Sequence, residues 1–188
     1  MSSAPSDGST SPGARGEPAV AQRIARGPQI NHQTVTRWLD SFERLDAIFR
    51  LPPFGAPRLR AVKQEQKHYH SDGSVVPDDG ARFENLVASH LLKWVHAQLD
   101  IGGRELELRY FRDVDGREVD FVVVERRRPI LMVEAKLTAG PASAALRYLT
   151  QRFPACDAYQ VHLRGERESV TDDRIHPWTA TRFLNTLA

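Results

Sequence analysis

Two consecutive apolar segments carry charge where a core strand should be greasy. The first reads Glu118-Val119-Asp120-Phe121-Val122-Val123-Val124, the second Ile130-Leu131-Met132-Val133-Glu134-Ala135-Lys136. Both have the aliphatic and β-branched content of buried strands. A charge taken into such a strand costs on the order of several kcal/mol unless it is paired or bound to a metal. Any fold built on these strands must therefore give Asp120, Glu134 and Lys136 partners, most economically one another. Two carboxylates and a lysine on adjacent strands point to a divalent-metal site that cuts phosphodiesters.

The rest of the pattern supplies an α/β frame for these strands. Asn31 offers an N-cap, and Val35, Trp38, Leu39, Phe42 and Leu45 recur at helical spacing. Ile48, Phe49 and Leu51 extend that series until Pro52-Pro53 stops it. Asp78 or Asp79 caps a second helix over 81–98, striped by Phe83, Leu86, Val87, Leu91, Trp94 and Val95. Residues 105–112 alternate as a strand, and Asp115-Gly116 signals a hairpin into 117–125. A charged turn at 126–129 leads to the strand over 130–136, whose Leu, Met and Val content places it centrally, buried on both faces. A helix over 141–153 and a short strand over 159–163 follow, and Ile175-His176-Pro177-Trp178 leads into a last helix through Phe183 and Leu187. The order predicts a mixed sheet flanked by helices and preceded by a small helical segment.

Residues 1–28 are rich in Ser, Pro, Gly and Ala, and Val20 and Ile24 are their large aliphatics. Such a segment cannot offset its ordering entropy, so it reads as a disordered tail. Arg15, Arg23 and Arg26 in it read as solvated rather than as nucleic-acid contacts. A short helix before the tail's end, followed by the 33–51 helix, would make a helix-turn-helix with Thr34, Thr36 and Arg37 facing a DNA groove. A helix that packs on a neighbour is the plainer reading. The basic stretch 58–70 suggests a hairpin or wing. His68 and His70 share a strand face near Asp72, as in some zinc sites, but a clear further ligand is missing and a polar strand edge is preferred. Cys156 is the one cysteine, so no internal disulfide or cysteine-rich zinc site forms, which fits a reducing cytoplasm. No apolar run is long enough to span a membrane or to serve as a secretory signal. A net charge of +2 is too small to demand a polyanionic partner.

The spacing within the charged strands has chemical content. Glu134 and Lys136 project from the same face of their strand, with the carbonyl of Ala135 between them as a further metal ligand. Lys136 can orient an attacking water or neutralise charge developing at phosphorus. Glu118 shares strand parity with Asp120. Glu84, on the second helix, is either a first-turn glutamate favoured by the helix dipole or a carboxylate leaning over the sheet toward Asp120. A structural Asp120–Lys136 ion pair would explain part of the pattern without a metal. A lone Glu-x-Lys is common by chance; an aspartate in one apolar strand and Glu-x-Lys in the next is more specific.

Arg82-Phe83-Glu84-Asn85-Leu86-Val87, Glu118-Val119-Asp120-Phe121 and Val133-Glu134-Ala135-Lys136, in this order, resemble the PD-(D/E)XK nuclease superfamily. More narrowly, the chain is similar to the DUF4143 domain at the C-terminus of many prokaryotic AAA+ ATPases. Thr34-Val35 through Leu39, Leu51-Pro52-Pro53, Lys67-His68-Tyr69 and Asp72-Gly73 extend the likeness upstream, and His176-Pro177-Trp178 extends it downstream. The resemblance implies a restriction-endonuclease-like domain over 79–188, preceded by a winged-helix-like segment and linker over 29–78. It implies Asp120 and Glu134 as metal ligands, supported by Glu84, with Lys136 as the catalytic lysine and Mg²⁺ or Mn²⁺ as cofactor. It also implies that the helix after the Glu-x-Lys strand lies near DNA, where Arg147 and Gln151, one turn apart, are the candidates. No G-x-x-x-x-G-K-[ST] loop is present, so no ATP site is expected, and a separate AAA+ ATPase is a candidate partner. The stretch between Asp72-Gly73 and Arg82 is shorter than in relatives. The expected function is a Mg²⁺-dependent DNA endonuclease of the cytoplasm; the alternative is a catalytically silent nuclease fold for DNA binding or partner docking.

Overall fold

A computed structural model describes residues 31–55, 66–166 and 174–188. The tail read over 1–28, the helix expected at its end and most of the basic stretch expected as a wing lie outside these residues. The Asn31 side chain accepts the Gln33 N–H at 3.0 Å and starts α1 (His32–Arg44). The apolar residues after it do not prolong the helix. They form β1 (Ile48–Leu51), which pairs antiparallel with β2 (Lys67–His70). Ile48 and Leu51 are buried there, and Arg50 bridges back to Asp40 and Glu43 on α1. A 3₁₀ turn (Gly73–Val75), capped by Asp72, connects to α2 (Asp79–Gly102). Asp78 caps α2 through the Ala81 N–H, and Gly103, at φ 62°, ends it in the left-handed conformation a glycine adopts at least cost.

The main sheet has five strands in the order β3 (Leu106–Arg112), β4 (Glu118–Glu125), β5 (Arg128–Thr138), β6 (Asp157–Arg164) and β7 (Ile175–Thr179). β3, β4 and β5 run antiparallel; β5, β6 and β7 run parallel. Asp115-Gly116 makes the β3–β4 hairpin as expected, with Gly116 at φ 76°. α3 (Ala144–Arg152), capped by Ser143, returns the chain from β5 to β6. β7 stands where a lead-in to the last helix was expected. Ile175 and Pro177 alternate inward against β6, and a proline is tolerated because the strand lies at the sheet edge. α4 (Ala180–Asn185) closes the chain.

The sheet is packed on both faces. Phe83, Val87 and Leu91 of α2 meet Leu108, Tyr110, Phe121, Val123 and Val133 on one side. Leu146 and Leu149 of α3 meet Val122, Val124 and Met132 on the other. Central β5 is buried continuously from Leu131 to Glu134, as its composition predicted. Leu51 and Tyr69 join the α2-side core, so the small sheet closes one end of that layer. Among the described residues no helix is long and apolar enough to cross a membrane.

Candidate functional site

Asp120 owes its position to an irregularity in the β3–β4 ladder. Arg109 lies opposite Val122 and Phe111 opposite Val119, so Tyr110 faces both Asp120 and Phe121. This bulge turns an extra side chain toward the side that α2 and β2 cover. On the other flank, the last β4–β5 pair before the strands part is Phe121 with Val133. Just past it, Asp120 Oδ2 accepts the Ala135 N–H at 3.0 Å. The carboxylate thus sits in the fork between two strands. Burial first, and then the nearby charge of Glu84, push its pKa up to about 6.

Lys67 of β2 gathers the acids on this side. Its ammonium lies 2.6 Å from Glu118 Oε1, 3.0 Å from Glu84 Oε1 and 3.3 Å from Asp120 Oδ1. Burial pulls the Lys67 pKa down, but the charges of Asp120, Glu84 and Glu118 outweigh it and hold it well above the ordinary lysine value. Burial opposes the ionisation of Glu118, yet Lys67 and Arg112 keep its pKa below the usual range. Arg112 Nε donates to the second Glu118 oxygen at 2.7 Å. The Tyr69 hydroxyl donates to Glu84 Oε1 at 2.6 Å, and burial with this carboxylate neighbour raises the phenol's pKa well above its usual value. Asn85 fixes β2 in place: its amide donates to the His70 carbonyl at 2.8 Å and accepts the His70 N–H at 2.7 Å.

Glu134 and Lys136 form a second group. Met132 belongs to the α3-side core and Val133 to the α2-side core, so alternation sends Glu134 and Lys136 with Met132. Lys136 Nζ pairs with Glu134 Oε1 at 2.9 Å; the glutamate side chain is 5% exposed and the lysine 46%. Burial lowers the Lys136 pKa, but the Glu134 hydrogen bond and the charges of Glu134, Asp120 and Glu84 raise it on balance. Glu134 Oε2 is buried with no hydrogen-bond partner among the described residues, and so is Oε1 of Gln160, the residue in register with it on β6. The structure therefore brings Glu84 and Asp120 together around Lys67, pairs Glu134 with Lys136, and links the two groups through the Asp120–Ala135 bond.

Carboxylates, with the Ala135 carbonyl, are the all-oxygen donor set that Mg²⁺ and Mn²⁺ take, and Glu134 offers a buried oxygen that no donor engages among the described residues. The donor chemistry fits. In the present arrangement, however, no group of three or more His, Cys, Asp and Glu among the described residues is set to hold a metal ion. One oxygen of Glu84 and one of Asp120 are engaged by Lys67.

The remaining candidates have other surroundings. Arg147 is half-buried and Gln151 exposed on α3. His68 lies opposite Arg50, and burial and that guanidinium lower its pKa. Asp72 accepts the Ser74 N–H at 2.9 Å as a cap. Thr36 and Arg37 are exposed and Thr34 half-buried on α1. Sequence reasoning passed over Lys67 and Tyr69 as site residues and named Asn85 only within a motif. The available signal was alternation in Lys67-His68-Tyr69-His70: a buried Tyr69 carries Lys67 to the same face.

Residues 79–183, more than half of the chain, match the family described as a domain of unknown function, DUF4143. Residues 10–77 match a second one, DUF8612, also described as a domain of unknown function. No curated protein and no solved structure matches the chain.

Proposed function

We propose, since the chain belongs to the DUF4143 family, that its carboxylate fork is a PD-(D/E)XK-type centre hydrolysing phosphodiester bonds of DNA with Mg²⁺ or Mn²⁺. The observation that carries this reading is the meeting of Asp120, at the parting of β4 and β5, with Glu84; on the other face of β5, Glu134 keeps one buried oxygen unpartnered among the described residues. Glu84, Asp120 and the Ala135 carbonyl would hold the ion from the α2 side of the sheet, and Glu134, set on the α3 side, would join them only by reaching round the parted end of β4 and β5. Bound there, it would acidify a water and offset charge on the leaving oxygen.

The protein's own groups supply the rest. Lys136, half-exposed and kept charged by the surrounding acids, orients the attacking water and neutralises charge growing on the phosphoryl oxygens. Tyr69 fixes the Glu84 carboxylate by its hydroxyl. Arg147 and Gln151 extend the contact along the DNA backbone from α3, a weak addition that salt would screen. The same reading puts the protein in a prokaryotic cytoplasm, with a separate AAA+ ATPase as a candidate partner.

One observation favours the alternative, a silent nuclease fold that binds DNA or a partner: Lys67 already neutralises three acids of the site. The test is nicking of supercoiled plasmid with Mg²⁺ or Mn²⁺. Wild type should nick, EDTA should stop it, and Lys136→Ala should slow it by about 10²–10³-fold, as loss of an electrostatic stabiliser does. Equal nicking by wild type and Lys136→Ala would overturn the enzyme reading, as would no nicking at all.

A further inference from the structure

We propose that Lys67 is a built-in counter-cation that competes with the divalent ion for the acids of this site, so that metal enters only as β2 yields. The proposal rests on the metal-site reading above.

Three features support it. The Lys67 ammonium lies within 3.3 Å of oxygens from three acids on two different elements, Glu84 of α2 and both Glu118 and Asp120 of β4. Glu84 and Asp120 are also two of the proposed metal ligands, so an ammonium and a divalent ion cannot both use those oxygens. Finally, Lys67 belongs to neither α2 nor the main sheet. It reaches the site on a strand whose ladder is with β1 and which is held to α2 by the Asn85–His70 pair of hydrogen bonds, the Tyr69–Glu84 bond and the packing of Tyr69.

The chain order gives this arrangement a regulatory sense. Lys67 falls within the stretch matching DUF8612, whereas Glu84, Glu118 and Asp120 fall within the stretch matching DUF4143. One unit thus supplies the cation that occupies the other's acids. Anything that displaces β2 would remove the ammonium and leave Glu84 and Asp120 to be neutralised, while Glu118 keeps Arg112. A divalent cation is one replacement and a proton on one of the two carboxylates the other, since like charges this close do not both stay ionised unpaired.

The test uses the full chain and Mn²⁺ alone, with binding read by electron paramagnetic resonance and calorimetry. Lys67→Met keeps the length and apolar stem but removes the charge. It should bind Mn²⁺ at least about tenfold more tightly than wild type, because a unit charge a few Å away has gone. Lys67→Arg should bind as weakly as wild type. If Lys67→Met is unfolded without metal, Mn²⁺ should restore its far-ultraviolet circular dichroism, and a chain that stays unfolded in millimolar Mn²⁺ overturns the proposal. So does a folded Lys67→Met with wild-type affinity. Adding Asp120→Ala separates the two readings. Tight Mn²⁺ binding by Lys67→Met that survives Asp120→Ala places the ion elsewhere and removes the metal site itself. Wild-type binding that needs Asp120 but ignores Lys67→Met removes the competition alone.

Discussion

Asn85 holds the backbone of His70 from both sides, so one side chain of α2 fixes the strand that delivers Lys67 and Tyr69. Asn85 is 3% exposed. Asn85→Ala would orphan an N–H and a carbonyl together. At about 1–3 kcal/mol for each unsatisfied group, the variant should lose roughly 2–6 kcal/mol. Urea unfolding of the two proteins measures this. A loss below about 0.5 kcal/mol would mean that β2 is held by packing instead.

Tyr69→Phe removes one hydroxyl from the Glu84 carboxylate with little change of shape. The bond is short and its acceptor is charged, so it should contribute about 1.5–3 kcal/mol. Glu84 keeps Lys67 and remains partly solvated, which favours the low end. Equilibrium unfolding should show that loss, and the ring's packing on Phe49 and Phe121 should keep the fold. An unchanged midpoint would show that water replaces the hydroxyl at no cost.

Cys156 gives a prediction in pH. Burial, and then the neighbouring charge of Asp157, push its thiol up to about 12. The unfolded thiol ionises near its usual value of about 8.5. The folded chain therefore binds the extra proton between these two values. This contribution to stability is fully present below about pH 8.5 and is lost as pH climbs toward 12. Cys156→Ala should lose less stability than wild type between pH 8 and pH 10.5. Iodoacetamide should label native Cys156 slowly at pH 8.5 and rapidly in urea; rapid labelling of native protein would contradict its burial.

Much of the frame was legible in the sequence because its signals are local. Asn31 and Asp78 announce helix starts, Asp115-Gly116 a hairpin, and the apolar run through Val133 a central strand. Each needs only its own neighbours in the chain. β1 and β7 were not legible, since four or five residues become a strand only when a partner lies alongside, here β2 and β6. The site divides in the same way. Asp120, Glu134 and Lys136 stand out as charges in apolar runs. Lys67 does not, because its meaning comes from partners 17 and 53 positions away, Glu84 and Asp120. The bulge that turns Asp120 toward them arises from pairing between strands and leaves no mark in either strand alone.

Cutting of DNA by the carboxylate fork, beyond holding it, is what separates the two functional readings. It is tested most directly by measuring binding and cleavage of the same DNA by wild type and Asp120→Ala in Mg²⁺. Asp120→Ala should bind within a few-fold of wild type while its nicking falls at least about 10²-fold, the loss expected when charge stabilisation is removed from a reacting centre. Nicking by Asp120→Ala at the wild-type rate would contradict it, as would a wild type that binds DNA in Mg²⁺ and leaves every bond intact.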